Sequence, residues 1–120
     1  MLIYLDMCCL KRPFDDQSQP RIRIEAEAVL GLLAMESDQV GFVRSAALVL
    51  ENDLNPVRER AARVAQWLSA RPIWRPSDAA AMQARVAELT ALGFKNFDAL
   101  HVASAEGAGA ALLGTVDDRL

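Results

Sequence analysis

The sequence predicts an α/β fold of three layers, a mainly parallel central sheet between helices. Short apolar runs at residues 2–5, 40–43 and 111–114 read as strands, and the first is continuous, as in a strand buried on both faces. Between them lie segments of helical spacing. Strands alternating with helices need crossover connections, and crossovers imply parallel pairing. At 120 residues, 52% hydrophobic and 24% charged, the chain is expected to form one domain over 1–120 with a real core. It contains no internal repeat, low-complexity tract or linker.

The elements follow in order. Leu2 to Leu5 is the first strand, ended by Asp6. Residues 12–20 are a loop punctuated by Pro13 and Pro20. From Arg21, the apolar positions Ile22, Ile24, Ala26, Val29, Leu30, Leu33 and Ala34 fit a helix far better than alternation. Residues 40–43 are a second strand, after which Ser45 caps a helix over 46–51. Asn55-Pro56 breaks the pattern, and Pro56 at a first helical position starts the next helix, striped by Ala61, Val64, Ala65 and Leu68. Pro72-Ile73-Trp74 is a weak strand whose proline restricts it to a first or edge position. Ser77 or Asp78 caps a helix to about Leu92, stopped by Gly93. Asn96 caps another through about Ala105, with Gly107 and Gly109 ending it before the last strand, 111–114. Trp67 and Trp74 are expected to anchor packing or a subunit contact.

Composition narrows the function. A formal net charge of −3 argues against nucleic-acid binding by bulk charge, although Lys11, Arg12, Arg21 and Arg23 cluster near the N-terminus. Cys8 and Cys9 are adjacent, whereas disulfide geometry favours Cα atoms roughly 5.5 Å apart. With no zinc-like spacing, they read as small buried residues in a reducing compartment. No run approaches the roughly 20 apolar residues of a membrane helix. The expectation is a soluble, cytoplasmic protein without a membrane partner.

Four acids then stand out: Asp6, Glu51, Asp98 and Asp117. Asp6 ends one strand-like run, Asp117 follows another, and Asp98 opens a helix. In a parallel sheet, ligands bind beyond the carboxyl ends of the strands, where such residues converge. Carboxylates held together repel unless a cation neutralises them. Carboxylate ligands favour a hard ion, Mg²⁺ or Mn²⁺, and so phosphodiester chemistry. His101 lies one helical turn from Asp98 and shares its face; as the only histidine it reads first as a satisfied buried residue and second as a substrate contact.

Three stretches together resemble the PIN domain, the family of metal-dependent ribonucleases that includes VapC-type toxins. They are Leu2-Ile3-Tyr4-Leu5-Asp6 continuing through Cys9-Leu10 to Arg12-Pro13-Phe14-Asp15-Asp16, then Phe97-Asp98-Ala99-Leu100-His101-Val102-Ala103, and finally Leu112-Leu113-Gly114-Thr115-Val116-Asp117-Asp118-Arg119-Leu120. The resemblance implies that Asp6, Glu51, Asp98 and Asp117 are the catalytic acids, with Asp6, Asp98 and Asp117 as metal ligands. Thr115 falls on the family's strand-end hydroxyl, and Arg12 and His101 are secondary, substrate-side candidates. Met7 stands where the family often has Thr or Ser, and Gly114 where a second small polar residue is common. The family's final strand would lie beyond Leu120. The resemblance further implies an RNA substrate, a small antitoxin protein as partner, and a homodimer.

Other classes fit less well. A haloacid-dehalogenase-like enzyme would need an Asp where Cys8 stands, and a receiver domain would need a Lys later than Lys95. No phosphate-binding glycine motif is present. The rival from a different class is a PIN-like module that binds RNA or protein with little or no catalysis.

Overall fold

The computed structural model describes residues 1–95 and 97–117. It is a mixed α/β fold with six α-helices among the described residues, and every strand pairing is parallel. The main sheet has three strands: β1 (Leu2–Leu5) lies between β2 (Gly41–Phe42) and β5 (Leu112–Gly114). Its register pairs Ile3 with both Phe42 and Leu112, and Leu5 with Gly114. A second, two-stranded sheet pairs β3 (Arg44–Ser45) with β4 (Ile73–Trp74). The single strand expected at 40–43 is therefore two short ones, because Val43 separates segments that pair with different neighbours.

Five helices follow the expected order, and a sixth was not anticipated. α1 (Met7–Lys11) begins directly after β1, and residues 12–14 add a 3₁₀ turn where a loop was expected. α2 (Pro20–Leu33) starts on Pro20, whose missing N–H costs nothing at that position. α3 (Ala46–Asp53) has the cap expected: Ser45 Oγ accepts from Leu48 N–H at 3.2 Å. α4 (Arg58–Ser69) begins two residues after Pro56, because Asn55 Oδ1 accepts from Val57 N–H and folds that proline into a turn instead. α5 (Ala79–Ala91) is capped by Asp78 rather than Ser77, through Ala81 N–H at 3.0 Å. It stops where Gly93 takes φ +110°, a conformation few other residues adopt.

α6 (Phe97–Ala108) outlasts the expectation, running through Gly107 and ending at Gly109 with φ +73°. Gly107 is an interior packing position: a Cβ there would stand 2.7 Å from the Trp74 ring. The cap expected at Asn96 and residues 118–120 lie outside the described residues.

β1 is the centre of the core. Ile3, Tyr4 and Leu5 are buried with Met7, Leu10, Val29, Phe42, Leu48, Val64 and Leu68. A smaller cluster (Leu89, Ala99, Ala103) joins α5 to α6. Trp67 packs edge-on against Phe42, and the Arg71 guanidinium lies over the Trp67 ring, 3.6 Å from its centroid. Both tryptophans therefore anchor packing within the chain. No helix among the described residues is long and apolar enough to cross a membrane.

Candidate active site

The carboxyl end of β1 places Asp6. Its backbone N–H donates to Gly114 O at 3.1 Å, which continues the β1–β5 pairing one residue past the strand. Its side chain is used on both oxygens. Oδ1 accepts from Cys9 N–H at 3.0 Å and caps α1, while Oδ2 accepts from the Thr115 hydroxyl at 2.5 Å. A carboxylate only 4% exposed is costly unless bonded, and these two bonds are the compensation. Gly114 allows the approach, since a Cβ at that position would stand 2.7 Å from buried Leu5 Cδ2. A side chain at this position would force the buried Leu5 side chain to shift.

Thr115 does two things with one hydroxyl. While donating to Asp6, its Oγ1 accepts from Asp117 N–H at 3.0 Å. The hydroxyl therefore links the acid after β1 to the acid after β5. Met7, where a second hydroxyl was a possibility of the family pattern, is instead a buried core residue.

Glu51 comes from the last turn of α3 and is half-buried, with Oε1 3.1 Å from His101 Nε2. His101, one turn beyond Asp98 on α6, is buried, and its Nδ1 lies 2.6 Å from the Tyr4 hydroxyl. Asp98 sits in the first turn of α6, where negative charge suits the helix dipole. Its carboxyl is nonetheless raised above the ordinary range: burial disfavours the anion most, the charge of Asp117 adds to this, and Glu51 and Asp6 contribute further. His101 acts in the opposite direction.

These residues converge on one cavity of about 710 Å³, whose lining includes Asp6, Glu51, Asp98, His101 and Asp117. The lining also includes Phe94 and Lys95, which follow α5, and Phe97 at the start of α6. All four acids named from the sequence thus share a wall, although they lie as much as 111 residues apart in the chain (117 − 6). Thr115 supports two of them from behind.

Arg12 does not line that cavity. It borders an adjoining cleft of about 440 Å³ with Arg21, Glu25, Cys8 and Asp117. Its guanidinium is held by Asp15 at 3.2 Å and lies 3.6 Å from Glu25. Cys8 and Asp117 border both spaces. Burial, then the negative charge of Asp6, pushes the Cys8 thiol up to about 11 and the buried Cys9 thiol higher still. Both are free thiols and poor nucleophiles at neutral pH.

Tyr4, Ser45 and Lys95 were not expected at the site. Tyr4 and Ser45 look like core and cap in the sequence, and nothing local relates either to His101. Lys95 could have been noticed as a cation three residues before Asp98.

The donors that line the cavity are four carboxylates, one imidazole and the thiol of Cys8, and the predominance of carboxylate oxygen suits a hard cation over zinc. Among the described residues no group of three His, Cys, Asp or Glu side chains is already gathered closely enough to hold an ion. Mg²⁺ keeps several of its waters and uses only one or two carboxylates directly, so a looser ring of acids also fits it. Compared with protein-family models, with curated proteins and with solved structures, the chain gives no match.

Proposed function

We propose that the chain is a metal-dependent ribonuclease of PIN type, the toxin of a toxin–antitoxin pair. The observation that carries the reading is the convergence of Asp6, Glu51, Asp98 and Asp117 from four separate segments onto one cavity. The upward displacement of Asp98 supports it, because beside its burial the charges of Asp117, Glu51 and Asp6 disfavour its anion, and a bound cation would offset both. The three-layer arrangement around a parallel sheet, and a cytoplasmic location, belong to the same reading.

Asp6, Asp98 and Asp117 would hold Mg²⁺ or Mn²⁺, which supplies a water of low pKa and stabilises the leaving oxygen of a phosphodiester. The chain's own residues do the remaining work. Thr115 keeps Asp6 and Asp117 in register with each other. Glu51 is the acid available to orient or deprotonate the attacking water. Lys95, which lines the same cavity, offers a positive charge to a phosphate. The partners that follow are an RNA strand and a small antitoxin protein whose C-terminal segment fills the same cavity; a homodimer is carried over from the family resemblance.

The test is Mn²⁺-dependent cleavage of a mixed RNA pool by the wild type beside Asp98→Asn. Cleavage that disappears in the variant and in EDTA supports the reading. Equal cleavage by the two proteins, or cleavage in EDTA, assigns it to something other than this site. Folded, Mn²⁺-supplied protein that leaves the pool intact while binding RNA points to the non-catalytic module.

A further inference from the structure

Behind Glu51 runs a buried hydrogen-bond chain that holding a cation does not require. Its members are Ser45 at the start of α3, Tyr4 on β1, His101 on α6 and Glu51 itself. Ser45 Oγ lies 2.7 Å from Tyr4 Oη, Tyr4 Oη 2.6 Å from His101 Nδ1, and His101 Nε2 3.1 Å from Glu51 Oε1. Tyr4 is 0% exposed, Ser45 1% and His101 1%, so water does not compete for these bonds.

The available donors set the direction of each bond. The Glu51 carboxylate can only accept, so His101 Nε2 carries a proton, and in the neutral ring Nδ1 is the acceptor facing the Tyr4 hydroxyl. The phenol, with its proton donated to His101 Nδ1, then accepts from Ser45 Oγ, and Ser104 bonds it as well. Burial raises the phenol further above its ordinary range, so it keeps a proton to give. With Nδ1 accepting, the ring proton sits on Nε2, and the Glu51 carboxylate accepts it. Phe97 stacks on the imidazole at 6.1 Å between centroids and limits its rotation.

We propose that His101 is a positioning residue, held as the Nε2–H tautomer by Ser45 and Tyr4, which fixes the Glu51 carboxylate at the cavity wall through Oε1. A glutamate side chain has three rotatable bonds, and one fixed oxygen removes most of their freedom. No described residue bonds Oε2, which is thereby left for water or a cation. Groups behind a metal site typically matter in this way, orienting what touches the substrate. The catalytic consequence rests on the nuclease reading; the hydrogen-bond chain does not.

The chain's only histidine makes the test direct. Long-range ¹H–¹⁵N correlation spectra of the full chain report both ring nitrogens of His101 without overlap. The expected result is a protonated Nε2 and an unprotonated Nδ1, with Tyr4→Phe shifting Nδ1 and Glu51→Gln shifting Nε2. A protonated Nδ1 with a bare Nε2 would overturn the proposal. Cleavage provides the second readout: His101→Leu should lower kcat about 10- to 100-fold with KM for RNA little changed. His101→Gln, whose amide can replace the Nε2 donor, should recover most of that loss. A folded His101→Leu with wild-type kcat would also overturn it. A wild type inert toward RNA but showing the expected ring signals would sink the nuclease reading alone.

Discussion

Replacing Tyr4 by Phe removes one oxygen from the middle of the core and leaves the carbon framework in place. Because Tyr4 is 0% exposed, no water can enter to replace it. The Ser45 hydroxyl at 2.7 Å, His101 Nδ1 at 2.6 Å and the Ser104 hydroxyl all lose a partner. A buried polar group left unsatisfied costs about 1–3 kcal/mol. Ser45 keeps its bond to Leu48 N–H and can rotate its proton, so the sum should fall near 2–4 kcal/mol. For 120 residues, an unfolding entropy of about 2.1 cal/mol/K per residue gives about 0.25 kcal/mol/K. The expected fall in Tm is then about 8–16 °C, read by thermal circular dichroism and checked by urea unfolding with an unchanged slope. A loss below about 0.5 kcal/mol would show that the phenol is not the shared partner of Ser45 and His101, and the bonding scheme would fail.

Three further outcomes follow from the same geometry. Asp98 has its folded pKa raised, so its contribution to stability is fully present below the unfolded carboxylate range and is lost as pH rises through the folded value. Metal-free Asp98→Asn should therefore melt above the wild type at neutral pH, with the gap closing below about pH 4; a lower Tm at neutral pH would contradict the crowding of charge. Cys8, with its pKa near 11, should react with iodoacetamide only slowly at pH 8, where about one thiol in a thousand is ionised, and rapid labelling would refute the assigned environment. Gly107→Ala places a Cβ 2.7 Å from the Trp74 ring and should cost about 1–3 kcal/mol in urea unfolding, whereas a neutral result would mean the indole can move aside.

What the sequence reveals divides along the distance over which each feature is determined. The Ser45 and Asp78 caps and the stop at Gly93 are local, and all are legible. α1 is not legible although its cap is also local, because Asp6 reads as a catalytic acid and a five-residue segment is too short to show a period. Asp6 in fact serves as cap and cavity wall together. Gly107 looks like a helix stop because its reason for being small, the Trp74 ring, lies 33 residues away (107 − 74). Pro56 looks like a helix start because the turn made by Asn55 competes with it.

At the site, the acids are legible because chemistry restricts them to residue types and the strand ends restrict their positions. The partners of His101 are not, since Tyr4 and Glu51 meet it only through the pairing of distant elements. The order β2-β1-β5 is of the same kind: it brings Asp6 beside Thr115, and no periodicity encodes it.

The central claim is that these carboxylates bind a divalent cation, and a direct measurement need not depend on finding the right RNA. Calorimetric titration of metal-free wild type and Asp98→Asn with Mn²⁺ at neutral pH is that measurement. Saturable binding to the wild type, weakened about tenfold or more in the variant, is the expected result. Indistinguishable isotherms, or no saturable binding to the folded wild type, would contradict a metal site built on Asp6, Asp98 and Asp117.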